Sequence, residues 1–201
     1  MADTNSLWVK GIEIPTSSHP EIKNLKRKTK VQSLHRNKVW DTSMVMIDML
    51  DELGVIDTKV LDLGCGWGAL THYLQKQGAD VTGMDGDKEV KPYFDLMSKL
   101  MDVKPNFIKQ DIFNKPLPLE YDTYIASDVC FWYSMTDKWI KVIKYLVDNN
   151  KQLLMADPGR DSFWKLLDDI SNGKHDVPFE WIRHHIKEPR KTDAYIVIFG
   201  E

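Results

Sequence analysis

The sequence has few cysteines and no long apolar run, and both absences narrow the class of protein. Cys65 and Cys130 are the only cysteines among 201 residues, so a disulfide scaffold is excluded and a reducing compartment, the cytoplasm, is expected. Neither they nor the six histidines have the spacing of metal ligands, and we expect no metal site. No segment approaches the roughly 20 apolar residues that cross a bilayer, and the N-terminus lacks the apolar core of a secretion signal.

The sequence also lacks an excess of charge of either sign. Its formal net charge is −3, so no overall field draws the chain to nucleic acid or to a membrane surface. Hydrophobic residues make up 42% of the chain and charged residues 28%, which is the balance of a globular protein. The length suits one α/β domain with little room for a second, and we expect a monomer.

Residues 1–38 differ from the rest and are predicted to form a basic N-terminal arm or lid before a domain at 39–201. Few of them are apolar, and the stretch from Lys23 to Lys38 carries seven basic residues and no acid. Charge runs of this kind usually form a solvated face or a mobile arm. The alternatives are a lid over a neighbouring site or a contact with an acidic partner.

From Trp40 onward, helical and strand-like patterns alternate. Short apolar runs followed by helical spacing predict five β-α units, whose strands begin near Lys59, Asp80, Asn106, Tyr121 and Gln152. Two strand-like runs at 181–186 and 194–199 flank a charged loop and predict an antiparallel hairpin at the sheet edge. The fold class is therefore α/β, a Rossmann-like seven-stranded, mostly parallel sheet with helices on both faces.

The most informative segment is a glycine-rich turn directly after the first of these strands. Residues 60–68 read Val-Leu-Asp-Leu-Gly-Cys-Gly-Trp-Gly, and a helix is predicted to begin at once. Side chains at Gly64, Gly66 and Gly68 would block a ligand from approaching the backbone, and glycine also permits positive φ angles. Since ligands of open α/β sheets bind at the carboxyl ends of the strands, the turn predicts a ligand-binding loop.

Three carboxylates indicate the kind of ligand. A dinucleotide-binding turn reads G-x-G-x-x-G, whereas here the glycines alternate and Asp62 precedes them. A carboxylate there would repel a pyrophosphate but can help to hold the ammonium of an amino acid. Asp85 ends the second strand, where it can accept hydrogen bonds from two ribose hydroxyls, and Asp111 follows the third, where it can accept one from an adenine. The alternative is that the glycines only form a tight turn between strand and helix, which would leave the three carboxylates unexplained.

In these residues the chain resembles the class I, seven-β-strand S-adenosylmethionine-dependent methyltransferases. The resemblance runs from about Val39 to the C-terminus. It implies S-adenosyl-L-methionine as cofactor and S-adenosyl-L-homocysteine as product, with Asp62 and the three glycines around the methionine part. It also implies Asp85 on the ribose and Asp111 with Ile112 around the adenine. The predicted cofactor shell is completed by Trp40, Cys65, Gly86 and Ser127.

Three further segments are similar to the lysine-methyltransferase-like family, whose members modify lysines of chaperones, elongation factors and electron-transfer flavoprotein. Val-Trp-Asp at 39–41 looks like the family's entry motif, Asp-Val-Cys-Phe at 128–131 is similar to its D-x-x-[FY] motif, and Asp-Pro-Gly-Arg at 157–160 matches a motif of some members. The chain departs from the family in Asp62 and Cys65, where many members have Glu and a small residue, and in its short length.

Asp128 is the predicted catalytic residue. It lies at the carboxyl end of the fourth strand among aromatic residues, which favour a cation that a carboxylate can orient. The predicted acceptor site consists of Phe131, Trp132, Tyr133 and Asp157. The structural alternatives are that Trp40 is a core aromatic, that residues 157–159 only form a turn, and that the aromatics after Asp128 only pack.

These residues predict methyl transfer to an amine acceptor, which we expect to be a protein lysine. The partner would then be a protein substrate or a small amine. Small-molecule N- or O-methylation is the first alternative. Nucleic-acid methylation is a weaker one, since basic residues at 23–38 and 183–191 can track a phosphate backbone but no Asn-Pro-Pro-Tyr type motif follows the fourth strand. The last alternative is a protein that binds the cofactor without catalysing a reaction.

Overall fold

A seven-stranded sheet organises the chain in a computed structural model that describes residues 5–29, 38–54, 58–175 and 177–200. The strands are β1 (Ser6–Val9), β2 (Ile12–Pro15), β3 (Lys59–Leu63), β4 (Asp80–Asp85), β5 (Asn106–Lys109), β6 (Thr123–Ser127), β7 (Gln152–Asp157), β8 (Phe179–Ile186) and β9 (Thr192–Phe199). The helices are α1 (Pro20–Thr29), α2 (Asp41–Leu53), α3 (Ala69–Lys76), α4 (Lys91–Met101), α5 (Thr136–Asp148) and α6 (Asp161–Asp169).

The strand order is β5-β4-β3-β6-β7-β9-β8, and it confirms the predicted fold class. Strands β3 to β7 pair in parallel, whereas β9 is antiparallel to both of its neighbours, β7 and β8. The C-terminal hairpin therefore lies at the sheet edge, as the sequence predicts. The order reverses between β3 and β6, and in doubly wound sheets a ligand binds in the crevice at such a switch point.

Apolar residues cover both faces of the sheet. In β3, Val60 belongs to one buried cluster while Leu61 and Leu63 belong to the other, because successive strand residues point to opposite faces. Helices α2, α3 and α4 pack on the first face, and α5 and α6 on the second. Among the described helices, none combines the length and the apolar composition needed to span a membrane.

The described part of the N-terminal segment packs against the first face. Strands β1 and β2 form a separate antiparallel hairpin, and Ile12, Ile14 and Ile22 are buried in the same cluster as α2 and α4. The basic residues Lys23 and Arg27 of α1 are exposed. Residues 1–4 and 30–37, with part of the basic run, lie outside the described residues. The division at residue 38 and the lid both stay predictions.

Replacing Ile22 by Ala should lower the free energy of unfolding by about 2–5 kcal/mol. The side chain is fully buried, and its loss leaves a cavity in the core that α1 shares with α4. Urea unfolding measures the change. The matched control is Lys23→Ala, at an exposed position on the same helix, which should change stability by less than about 0.5 kcal/mol. Equal effects of the two substitutions would mean that α1 is not part of the core.

Candidate functional site

A cavity of about 650 Å³ opens at the carboxyl ends of the parallel strands. The loops after β3, β4, β5 and β6 line it, together with the segment that leads into α2. Its volume is typical of small-molecule and cofactor sites. The predicted site residues that do not line it are Asp62, Tyr133 and Asp157. All the other residues predicted from the sequence do, so the fold brings them together.

The glycine-rich loop has the backbone conformation that the sequence predicts. Gly64, Gly66 and Gly68 have φ angles of +70°, +56° and +79°. A side chain at Gly66 would enter open space in the cavity wall, whereas a Cβ at Gly68 would lie 2.6 Å from the ring of Phe94. Gly66 therefore leaves room for a ligand, and Gly68 allows α3 to pack closely on α4.

Asp85 ties the loops after β3 and β4 together. Its Oδ2 accepts a hydrogen bond from the Gly66 backbone N–H at 3.0 Å, and its Oδ1 accepts one from the Asp87 N–H at 2.8 Å. A carboxylate has about four acceptor positions, so it can still accept from hydroxyl groups of a ligand. The predicted ribose contact is compatible with this geometry.

Asp111 and Ile112 lie in the wall formed by the loop after β5. The Asp111 Oδ1 accepts a hydrogen bond from the Phe113 N–H at 2.8 Å, which fixes the turn. Gly86 allows this loop to approach β4, because a Cβ there would lie 2.9 Å from the Asp111 Cα. The adenine part of a nucleoside would find an apolar side chain and a carboxylate here.

Asp62 is 3% exposed and does not line the cavity, unlike the other residues of the predicted cofactor shell. Its Oδ2 accepts a hydrogen bond from the Thr71 hydroxyl at 2.5 Å, which joins β3 to α3. Burial raises the pKa of Asp62 to about 7, the charge of Asp85 adds to the rise, and the hydrogen bond from Thr71 opposes it. Its predicted contact with a methionine group stays a prediction.

Trp40, Cys65 and Ser127 also line the cavity. The Trp40 ring is half-buried and lies 5.6 Å from the Phe131 ring, so it is part of the cavity wall and not of the core. Burial raises the pKa of the Cys65 thiol, which keeps it protonated and unsuited to nucleophilic chemistry. The Ser127 Oγ lies 3.4 Å from the Ser43 Oγ and connects the end of β6 to α2.

The end of β6 and the end of β7 carry an ion-pair cluster made of Asp128, Asp157 and Arg160. The Arg160 Nη2 donates to the Asp128 Oδ1 at 2.5 Å, and its Nη1 donates to the Asp157 Oδ2 at 2.7 Å. Burial alone would lower the pKa of Arg160, but the two carboxylates raise it. Burial raises the pKa of Asp157, and Arg160 opposes that rise. Sequence reasoning noted the 157–160 motif without assigning a role to Arg160.

In the part of the chain that the structure describes, one of the two carboxylate oxygens of Asp128 has a hydrogen-bond partner and the other has none. The residue is 4% exposed, and its Oδ2 is buried with no hydrogen-bond partner among the residues that the structure describes. Its φ is +57°, an uncommon conformation outside glycine that Asp and Asn adopt more readily than most residues. An unpaired buried carboxylate oxygen is costly, so an orphan acceptor beside a cavity points to a ligand that donates.

A second cavity of about 710 Å³ adjoins the first and shares Phe131 and Trp132 with it. Tyr133 and Arg160 also line this second cavity. Trp132 is 54% exposed and Tyr133 58%, so the two side chains do not belong to the core. Of the predicted acceptor residues, Phe131, Trp132 and Tyr133 thus line the second cavity. Asp157 is buried in the ion-pair cluster and lines neither cavity.

Comparisons with known proteins agree on the type of domain. Residues 60–151 match a family described as a methyltransferase domain. A ubiquinone biosynthesis O-methyltransferase of Yersinia pestis (strain Pestoides F) is 26% identical over 138 residues, which cover 62% of this chain and 56% of that protein. The chain therefore spans about half the length of the curated relatives that it matches.

Solved structures resemble the whole fold at low sequence identity. One is a tRNA (uracil-54, C5)-methyltransferase of Pyrococcus abyssi in complex with S-adenosyl-L-homocysteine. It matches with a TM-score of 0.63 at 14% identity, over 96% of this chain and 42% of the other chain. Magnesium protoporphyrin IX methyltransferase from Synechocystis PCC 6803, with bound cofactor, has a TM-score of 0.55 at 17% identity over 89% of this chain and 91% of its own. At these identities the likeness concerns the fold, and it says nothing of the acceptor.

Replacing Asp85 by Ala should lower the affinity for S-adenosylmethionine roughly tenfold to a hundredfold. The substitution removes the proposed ribose acceptor and the hydrogen bond that holds the Gly66 N–H. Calorimetric titration with S-adenosylmethionine and S-adenosylhomocysteine measures the effect. Asp80→Ala, at the exposed start of the same strand, is the control and should leave the affinity unchanged. An unchanged dissociation constant in folded Asp85→Ala protein would place the ribose elsewhere.

The stability of the fold should fall with rising pH because of Asp62. Its pKa is about 7 in the folded chain against an ordinary 3.8, so the stabilisation is fully present below about pH 4 and is lost as the pH rises through about 7. The slope is at most roughly 1.4 kcal/mol per pH unit. Denaturant unfolding between pH 5 and 8 measures it. Asp62→Asn should flatten the slope, since an amide does not titrate, and Asp80→Asn should not. An unaltered slope in Asp62→Asn would contradict the assignment.

Proposed function

We propose that the chain, whose residues 60–151 match a methyltransferase domain, is a class I S-adenosylmethionine-dependent methyltransferase. We further propose that it methylates an amine, specifically a lysine side chain of a protein substrate. One observation carries the choice of an amine. The buried Oδ2 of Asp128 has no partner among the described residues, and Asp128 lines the cavity that would hold the cofactor. The acceptor would approach from the second cavity.

The residues of the first cavity fit S-adenosylmethionine. Open space at Gly66 leaves room for a ligand against the loop backbone, Asp85 accepts from ribose hydroxyls, and Asp111 with Ile112 borders the adenine. When bound, the cofactor would supply a methyl group activated by its sulfonium, and the sulfur would keep the electron pair of the S–C bond that breaks. Because the methyl group is already activated, the chain's own residues mainly have to align the acceptor and exclude water.

Electrostatics at the ion-pair cluster favours a cationic acceptor. With both carboxylates ionised, Asp128, Asp157 and Arg160 carry a formal net charge of −1 in a largely buried place. A lysine side chain, with a pKa of about 10.4, arrives as an ammonium and supplies the missing positive charge. The aromatic rings of Trp40 and Phe131 lie beside the cluster, and such faces attract cations.

Asp128 would orient the ammonium and assist its deprotonation. The Oδ2 accepts a hydrogen bond from the ammonium and holds the nitrogen beside the cofactor cavity. One proton must leave before transfer, either to this carboxylate or to water, because only the neutral amine has a lone pair to form the N–C bond. A second proton leaves later if the secondary amine is to accept another methyl group.

Exposed aromatic residues beside the second cavity favour a protein substrate over a small amine. Trp132 and Tyr133 are more than half exposed, and aromatic side chains of this kind are enriched in protein–protein interfaces. A lysine side chain could extend between them toward Asp128 while its flanking residues contact the rings. The acceptor and the cofactor would then occupy neighbouring cavities that share Phe131 and Trp132.

Methylation of a hydroxyl group on a small molecule is the second candidate. The matched Yersinia relative is an O-methyltransferase of ubiquinone biosynthesis, and this observation favours the candidate. A phenol or alcohol can also donate a hydrogen bond to the Asp128 Oδ2. A neutral acceptor leaves the negative charge of the cluster uncompensated, which is why we prefer the amine.

Incubation with radiolabelled S-adenosylmethionine and a cell lysate tests the proposal. Label should enter protein and resist mild alkali, because N-methyl groups do and methyl esters do not. Asp128→Asn should lower the incorporation on the order of a hundredfold through lost positioning, while cofactor affinity stays within about threefold. Asp137→Asn, an exposed acid at the start of α5, is the control that should change neither quantity.

The fraction that takes up label decides between the candidates. Label confined to small molecules would favour the O-methyl candidate, and label in RNA would contradict both. Full incorporation by Asp128→Asn would remove Asp128 as the amine anchor. A collapse of cofactor binding in that variant would instead assign Asp128 to the cofactor site.

A further inference from the structure

Arg160 connects two carboxylates that end neighbouring parallel strands. Each terminal nitrogen of its guanidinium donates to a different residue, one to Asp128 and one to Asp157. The planar fork of arginine suits such a bridge, and the single ammonium of a lysine does not. The three side chains are largely buried, with 23% of the Arg160 side chain exposed and no more than 2% of either carboxylate side chain.

Arg160 is itself held in place by its own loop. The Asp157 Oδ1 accepts hydrogen bonds from the backbone N–H groups of Gly159 at 2.9 Å and Arg160 at 2.8 Å. The Ser162 hydroxyl donates to the Cys130 carbonyl at 2.5 Å, which joins the first turn of α6 to the loop after β6. The arginine side chain therefore starts from a fixed backbone.

The guanidinium also contacts an aromatic residue of the proposed acceptor site. Its Cζ lies 4.7 Å from the centre of the Phe131 ring, which restricts the plane of the group. Few rotamers can meet this ring and both carboxylates at once. Arg160 is consequently a rigid donor and not a flexible surface charge.

The bridge determines which oxygen of Asp128 is available. The backbone N–H of Asp128 donates to the Ala156 carbonyl at 3.0 Å, so the start of its short side chain is fixed. The Oδ1 is taken by Arg160, and the Oδ2 has no partner among the described residues. Loss of the bridge would let the carboxylate rotate and offer either oxygen.

We propose that Arg160 is a positioning residue for methyl transfer, which locks the Asp128 carboxylate so that its Oδ2 alone receives the acceptor. This inference rests on the proposed role of Asp128 as the anchor of the acceptor. The competing explanation is that Arg160 only compensates the charge of two buried carboxylates. The two explanations differ in what happens when one carboxylate charge is removed together with Arg160.

A double substitution separates positioning from charge compensation. Arg160→Met alone leaves two buried carboxylates without a counter-ion and can unfold the protein. Arg160→Met with Asp157→Asn keeps the formal charge of the cluster at −1, with Asp128 as the remaining carboxylate. The amide oxygen that the second substitution introduces can still accept from the two loop N–H groups. Arg160→Lys is the conservative variant. Arg183→Met, which breaks an ion pair between Arg183 of β8 and Asp193 of β9, is the matched control.

Three measurements are made on each folded variant: calorimetric affinity for S-adenosylhomocysteine, turnover on the lysate fraction that the unaltered protein labels, and hydrogen exchange of the Asp128 amide. We expect the double variant and Arg160→Lys to bind the nucleoside within about threefold of the unaltered protein. Turnover should fall on the order of a hundredfold, and the amide should exchange faster. Arg183→Met should change none of the three.

Turnover of the double variant within about threefold of the unaltered protein would overturn the proposal, because charge compensation would then suffice. A loss of nucleoside affinity of more than about tenfold would overturn it as well, by assigning Arg160 to the cofactor site. Failure of the proposed function has a different signature. In that case Asp128→Asn retains turnover, whereas failure of the positioning role leaves Asp128→Asn inactive and the double variant active.

Discussion

Parallel pairing of β3 with β4 on one side and with β6 on the other is the constraint on which the site depends. It brings the carboxyl ends of three strands to one edge, where their loops meet. The Asp85 carboxylate can then reach the Gly66 N–H, and the cavity forms between these loops and the end of β6. The helices on both faces bury the strands, and the first cavity opens at this edge.

Three buried carboxylates near that edge, Asp62, Asp157 and Asp128, differ in the groups that stabilise them. Asp62 has a hydroxyl partner and a raised pKa, so near neutral pH it can exist as a neutral acid that joins β3 to α3. Asp157 accepts from two backbone N–H groups and from Arg160. Asp128 alone keeps an oxygen without a protein partner among the described residues, and a buried charge with an open acceptor suits the binding of a cation.

The sequence predicts well the features that a short run of neighbouring residues determines. The glycine turn after β3 and the C-terminal hairpin follow from short runs, and both are confirmed. Asp62 does not line the cavity: residues alternate along β3, Leu61 and Leu63 pack on one face, and the Asp62 carboxylate accepts from Thr71 of α3. The role of Arg160 depends on pairing across 32 residues between two strand ends, which no local pattern reveals. The sequence does not predict the N-terminal hairpin, because β1 and β2 have only four residues each and such short strands carry little periodic pattern.

The left-handed backbone at Asp128 limits how this position can change during evolution. Asn and Gly are the residues that adopt such a φ most readily, so they are the replacements that preserve the loop. Both lack the negative charge. If Asp128 binds the acceptor as proposed, a lineage that alters this residue without disturbing the loop moves in one step from an anionic acceptor site to a neutral one. Enzymes of this fold could diverge from charged to uncharged substrates through this position while the scaffold stays the same.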